Sequence, residues 1–68
     1  MDSTKEIGLK LKKARLAKKL NQADIASQAG INTNYYARIE RGEVNASLEI
    51  FKNILQALGL KSEDVLPF

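Results

Sequence analysis

Residues 22–40 read QADIASQAGINTNYYARIE, and their spacing predicts two short helices joined by a tight turn at Gly30. The apolar Ile25, Ala29, Ile31, Tyr36 and Ile39 fall where two helices crossing at a steep angle bring them onto one buried side. Ala26 and Gly30 read as the two places where bulk is not tolerated. Ala26 follows Ile25 at the crossing, and Gly30 follows Ala29 where a helix commonly ends with positive φ, a conformation that costs glycine little and a branched residue much. Asn32 then caps a second helix, Thr33 to Arg41, by accepting from a free amide. Thr33, Asn34, Tyr35, Ala37 and Arg38 are left outside. Helical spacing puts Thr33, Asn34, Ala37 and Arg38 on the face opposite Tyr36 and Ile39.

Apolar spacing alone fits a helical hairpin with a solvated face equally well. The composition of the front separates the two readings: it is rich in amide, hydroxyl and guanidinium groups and has no carboxylate before Glu40. Such a surface suits phosphates and base edges.

The chain has 68 residues, which predicts one domain spanning 1–68, compact and helical or completed by a partner, because so short a chain cannot bury a large core. It contains neither cysteine nor histidine. Disulfides, thiolate metal sites, zinc sites, Ser-His or Cys-His catalysis and c-type haem are thereby excluded. Asp24, Glu40 and Glu43 lack a nucleophile and a pocket, so the expectation is a protein that is not an enzyme and uses no cofactor, metal or small-molecule ligand. Eleven Lys and Arg against eight Asp and Glu give a net charge of +3, a basic excess that points to a polyanion. No apolar run is long enough to span a membrane and Met1 to Leu11 lacks a signal-peptide core, so the expected location is cytoplasmic.

Outside the central pair, Ser3 or Thr4 is placed to cap a first helix running to about Lys19, with Ile7, Leu11 and Ala14 as its buried stripe. Seven of the eleven basic residues lie in or beside it, from Lys5, Lys10, Lys12 and Lys13 to Arg15, Lys18 and Lys19. A basic amphipathic helix can also lie on a membrane, but solvation is as good an account of these residues as any partner, and only the lysines near the start of the next helix are read as facing phosphate. Leu20 plugs the core. Asn21 caps Gln22 to Ala29, leaving Gln22 at that helix's positive end, where free amides and a polar side chain make a phosphate clamp. Ser47 caps a fourth helix, Leu48 to Leu58, whose apolar face is Leu48, Phe51, Ile54, Leu55 and Leu58 and whose terminator is Gly59. Ser62 caps a last turn, Glu63 to Leu66, ended by Pro67.

The segments LNQADIA, AGIN, YYARIERG and SLEIFKNILQALGL together resemble the phage-repressor or Cro-type helix-turn-helix DNA-binding proteins over nearly the whole chain. ERGEVNASL and the stand-alone length look most like the controller proteins of restriction-modification systems, with phage and plasmid repressors and antitoxin-type regulators sharing the same motifs. The resemblance implies an all-α, lambda-repressor-like five-helix bundle. It also implies, position by position, that Gln22 contacts phosphate, that Thr33, Asn34 and Arg38 face base edges, and that Tyr35 touches the backbone or nearby bases. Arg41 and Asn45 lie near the DNA backbone, and Arg15 with Glu40 forms a structural ion pair. Ala37 belongs to the same front. Thr33 stands where several relatives carry glutamine or arginine, and Val44 where many controllers carry a base, so the half-site does not transfer from a relative.

The expected partner is a double-stranded, near-palindromic operator bound by a homodimer, one copy of helix Thr33 to Arg41 in each of two successive major grooves, regulating transcription of a nearby promoter. A protein-interaction module of the antitoxin type is the alternative use of the same fold. The dimer expectation rests on apolar supply: Leu60 and Val65 suffice to close the core, whereas Leu66 and Phe68, flanking Pro67 at the chain end, are harder to bury within one copy and are read as a two-fold patch with the start of the fourth helix.

Overall fold

Each helix boundary of the central region is set by a group visible in the sequence. In the computed structural model, which describes residues 3–65, five helices follow one another: α1 (Ser3–Ala17), α2 (Gln22–Ala29), α3 (Thr33–Glu40), α4 (Leu48–Leu58) and α5 (Ser62–Val65). No strand occurs among the described residues, and the all-α expectation holds. Asn21 opens α2 in a reciprocal box, its side chain accepting from the Asp24 amide at 2.8 Å while the Asp24 carboxylate accepts from the Asn21 amide at 3.0 Å. Asn32 accepts from the Asn34 amide at 2.7 Å and Ser47 from the Ile50 amide at 3.2 Å, so α3 and α4 are capped as expected. Gly30 and Gly59 close α2 and α4 at φ of 75° and 69°.

Four boundaries differ. α3, expected to run to Arg41, ends at Glu40 with Arg41 as its C-cap, because the chain turns left-handed at Gly42. α1 stops at Ala17, because the Lys19 amide donates to Leu16 O at 3.0 Å and the Leu20 amide to Arg15 O at 3.2 Å. That closure turns Lys19 to φ 58°, a left-handed position taken here by a branched-free but non-glycine residue. Ser3 and Thr4 lie inside α1 rather than before it. Ser62 is likewise the first residue of α5, and the Asp64 carboxylate accepts from the Lys61 amide at 2.8 Å.

Leu11, Ile25, Tyr36, Ile54, Leu58 and Val65 are fully enclosed; burying each such side chain stabilises the fold by about 1.5–3 kcal/mol. α2 packs against α3 and α4, and α1 against α3. Ala26 is buried in α2. Space around Gly30, by contrast, is open, with nothing within 4 Å of a Cβ built there, so that glycine is required by its φ and not by bulk. The tight approach lies elsewhere: a Cβ on Gly8 would stand 2.5 Å from Ile39 O and closer still to Glu40 O, so α1 rides directly on the end of α3. Leu48, expected on the apolar face of α4, is 76% exposed. As the first residue of its helix it precedes the point where α4 turns onto the core at Ile50 and Phe51. Val65 is buried and Leu60 packs against the core, whereas Leu66 and Phe68 lie outside the described residues. No helix among the described residues is long and apolar enough to cross a membrane. The bundle measures 29 × 20 × 20 Å.

Candidate nucleic-acid interface

α3 divides into a buried and an open side. Tyr36, Ala37, Ile39 and Glu40 are buried, while Thr33, Asn34 and Arg38 are exposed and Tyr35 is half-buried with its ring packed against the core. Ala37 is therefore corrected: it was expected on the front, and it retains only 9% exposure. Successive residues advance about 100° around a helix, which places Ala37 beside both Glu40 and Thr33. Ala37 and Glu40 thus share the arc of α3 that faces the bundle.

What draws Glu40 inward is a set of donors from α1 and α2. Arg15 Nε donates to Glu40 Oε2 at 2.6 Å and Arg15 Nη2 to Oε1 at 3.1 Å, while Gln22 Nε2 donates to Oε1 at 3.0 Å. Arg15 Nη1 also donates to Leu20 O at 2.9 Å, joining the link after α1 to the same group. Burial by itself would raise the Glu40 carboxyl; the hydrogen bonds, Arg15's foremost, outweigh it and hold the group below its ordinary value. Arg15 is correspondingly raised, chiefly by its hydrogen bond to Glu40. The Tyr36 phenol is enclosed beside this pair, without a hydrogen-bond partner among the described residues. Burial, and then the neighbouring Glu40 carboxylate, push it far above its ordinary range. The expected Arg15–Glu40 ion pair is thus present and ties the C-terminal end of α3 to α1, while the Gln22 hydrogen bond ties it to α2.

The remaining expected positions, Gln22, Asn45 and Arg41, each have a partner within the fold. Gln22 is half-buried at the start of α2, one amide hydrogen engaged by Glu40. Asn45 is exposed in the link after α3, and its Oδ1 accepts from the Thr4 hydroxyl at 2.8 Å. Arg41 is exposed, with its Nε 2.6 Å from Glu43 Oε2, and Arg38 Nε lies 3.5 Å from Glu43 Oε1. Hydrogen bonding to Arg41 is the main cause that lowers the Glu43 carboxyl, and reciprocally raises Arg41. From the sequence, Glu43 is weighed only as a catalytic carboxylate and not as a partner of Arg38 and Arg41. Its signal was the run Arg38-x-x-Arg41-Gly42-Glu43, a carboxylate placed just past a helix-ending glycine.

A family described as Helix-turn-helix matches residues 11–66. Control protein C.BamHI of Bacillus amyloliquefaciens is 36% identical over 62 residues, which is 90% of this chain and 76% of that protein. The Immunity repressor protein of Bacillus phage phi105 is 34% identical over 55 residues, covering 81% of this chain and 38% of the repressor. Among solved structures, the restriction-modification controller protein C.AhdI from Aeromonas hydrophila superimposes with a TM-score of 0.88 at 28% identity, over 93% of this chain and 96% of that one.

Proposed function

Because this chain belongs to the helix-turn-helix family, we propose that it is a sequence-specific DNA-binding regulator of transcription, of the kind that controls restriction-modification genes. One observation carries the reading: α3 buries one side completely and leaves Thr33, Asn34 and Arg38 open on the other. A helix so placed enters the major groove, where hydroxyl, amide and guanidinium groups match base edges. Asn34 is suited to a two-point contact with adenine and Thr33 to a thymine methyl or a single hydrogen bond. Tyr35 touches the backbone or the adjoining bases, and Gln22, Arg41 and Asn45 take phosphates. Arg15 and Glu40 set the angle of α3 rather than contacting DNA. The protein acts in the cytoplasm of a bacterial or phage-infected cell.

The narrow dimensions of 20 Å let one copy cover one groove, whereas successive grooves on the same face of DNA recur about every 34 Å. Two copies related by a two-fold axis therefore match a near-palindromic operator. Leu48, exposed at the start of α4, borders an open groove of about 280 Å³ lined by Ile7, Ile39, Val44, Ala46 and Phe51. We propose that the second copy docks over Leu48 at the start of α4, together with Leu66 and Phe68, which lie outside the described residues.

The test is a fluorescence titration of the protein against a pool of random duplexes and against the tightest duplex selected from that pool, at two salt concentrations. Salt-dependent binding with a selected-to-random affinity ratio above about 10³ is expected. Equal affinity for both duplexes would remove the proposal.

A further inference from the structure

α3 ends in a geometry that returns one carboxylate to the helix's own open side. The Gly42 amide donates to Ile39 O at 3.0 Å and the Glu43 amide to Arg38 O at 2.9 Å, a paired closure that needs the left-handed φ of 75° found at Gly42. Lys5 leaves no room for a side chain there, its Cα standing 2.6 Å from where a Cβ on Gly42 would lie. The backbone of Glu43 is therefore anchored over Arg38. From that anchor the carboxylate takes Arg41 by one edge, Nε at 2.6 Å and Nη2 at 3.5 Å, and lies 3.5 Å from Arg38 Nε. The three side chains are about half exposed, at 52% for Arg38, 57% for Arg41 and 47% for Glu43. Ion pairs this open add little to folding stability, so their effect falls on the two guanidinium groups.

We propose that Glu43 is a positioning residue for sequence discrimination: it orients the guanidinium groups of Arg38 and Arg41 from their Nε sides, leaves the Nη1 of each to the DNA, and repels the phosphates of any duplex. The inference rests on the DNA reading proposed above. A long arginine has many rotamers. A base contact requires one orientation of the guanidinium fork, whereas a phosphate accepts many. Holding the fork therefore favours the selected duplex, and the negative charge of Glu43 counts against every duplex alike.

Glu43→Gln keeps the size of the side chain and removes its charge; Glu63→Gln makes the same change of charge on α5. Both are titrated with the random pool and with the selected duplex. Glu63→Gln is expected to tighten the two by the same factor. Glu43→Gln is expected to tighten the random pool but not the selected duplex, lowering the selected-to-random ratio by about threefold or more, the scale of an exposed charge pair. In the free protein, the Arg38 and Arg41 Nε–H resonances are expected to move in Glu43→Gln and to stay in place in Glu63→Gln. An unchanged ratio, or unmoved resonances, would overturn the role of Glu43. A parent that does not prefer its selected duplex overturns the DNA reading first, before any variant is made, and takes the role of Glu43 with it.

Discussion

Glu40, on the last turn of α3, accepts hydrogen bonds from Arg15 on α1 and from Gln22 on α2, so one carboxylate joins three helices. Removing its charge leaves the Arg15 guanidinium buried without a counter-ion. Glu40→Gln is expected to destabilise the fold by about 3 kcal/mol, at the lower end of what breaking a buried pair costs. Urea unfolding measures it. Replacing both partners, as in Arg15→Met with Glu40→Leu, is expected to cost less than Glu40→Gln alone, because no charge then remains buried.

The same pair sets a pH dependence. The Glu40 carboxyl lies below its ordinary value of 4.5 in the folded state, so its contribution is fully present above that value and is lost as pH falls through the depressed folded value. The difference in thermal midpoint between the parent and Glu40→Gln is expected to be constant near neutral pH and to shrink as pH drops below about 4.5. A difference that persists undiminished into strong acid would remove the carboxylate as its cause.

Gly8→Ala tests the close approach of α1 to α3. Alanine gains about 1 kcal/mol in helix propensity, but its methyl would meet the Ile39 and Glu40 carbonyls, and overpacking of this sort costs about 1–3 kcal/mol or more. Net destabilisation is expected in urea unfolding. A stabilised variant would show that the contact yields easily.

Lys19→Gly is expected to act in the opposite direction. Lys19 is exposed and sits at φ 58°, where an L side chain is strained by about 1–2 kcal/mol; the greater freedom of glycine in the unfolded chain returns part of that. A gain of up to about 1 kcal/mol in thermal unfolding is the expected net.

Asn34→Ala and Arg41→Ala separate base reading from phosphate contact. The first is expected to cost about 1–3 kcal/mol on the selected duplex and far less on the random pool. The second should weaken both and reduce the salt slope by about one unit. Equal losses from Asn34→Ala on the two duplexes would make Asn34 a backbone contact.

What the sequence made legible was local. Asn21, Asn32 and Ser47 announce helix starts because a short polar side chain reaches its own neighbouring amides, and Gly30 and Gly59 announce helix ends because the backbone there turns left-handed. The pairing of Arg15 with Glu40 came with the family resemblance; no spacing rule joins residues 15 and 40. The misread positions depend on contacts between distant segments. Ala37 is buried alongside Glu40, whose carboxylate is held by residues on two other helices. Gly8 gives no sign in the sequence of the α3 backbone that lies against it. Glu43 reads as a loop carboxylate until the turn at Gly42 swings it back over Arg38.

Thr33, Asn34 and Arg38 contribute almost nothing to the buried interior, and the caps and glycines that shape α3 are other residues. Substitutions at such exposed positions usually change stability by less than about 0.5 kcal/mol. A duplicated gene can therefore drift through many combinations at these three positions while every intermediate still folds. Two diverging copies in one cell acquire separate targets by that route, without either passing through a broken scaffold.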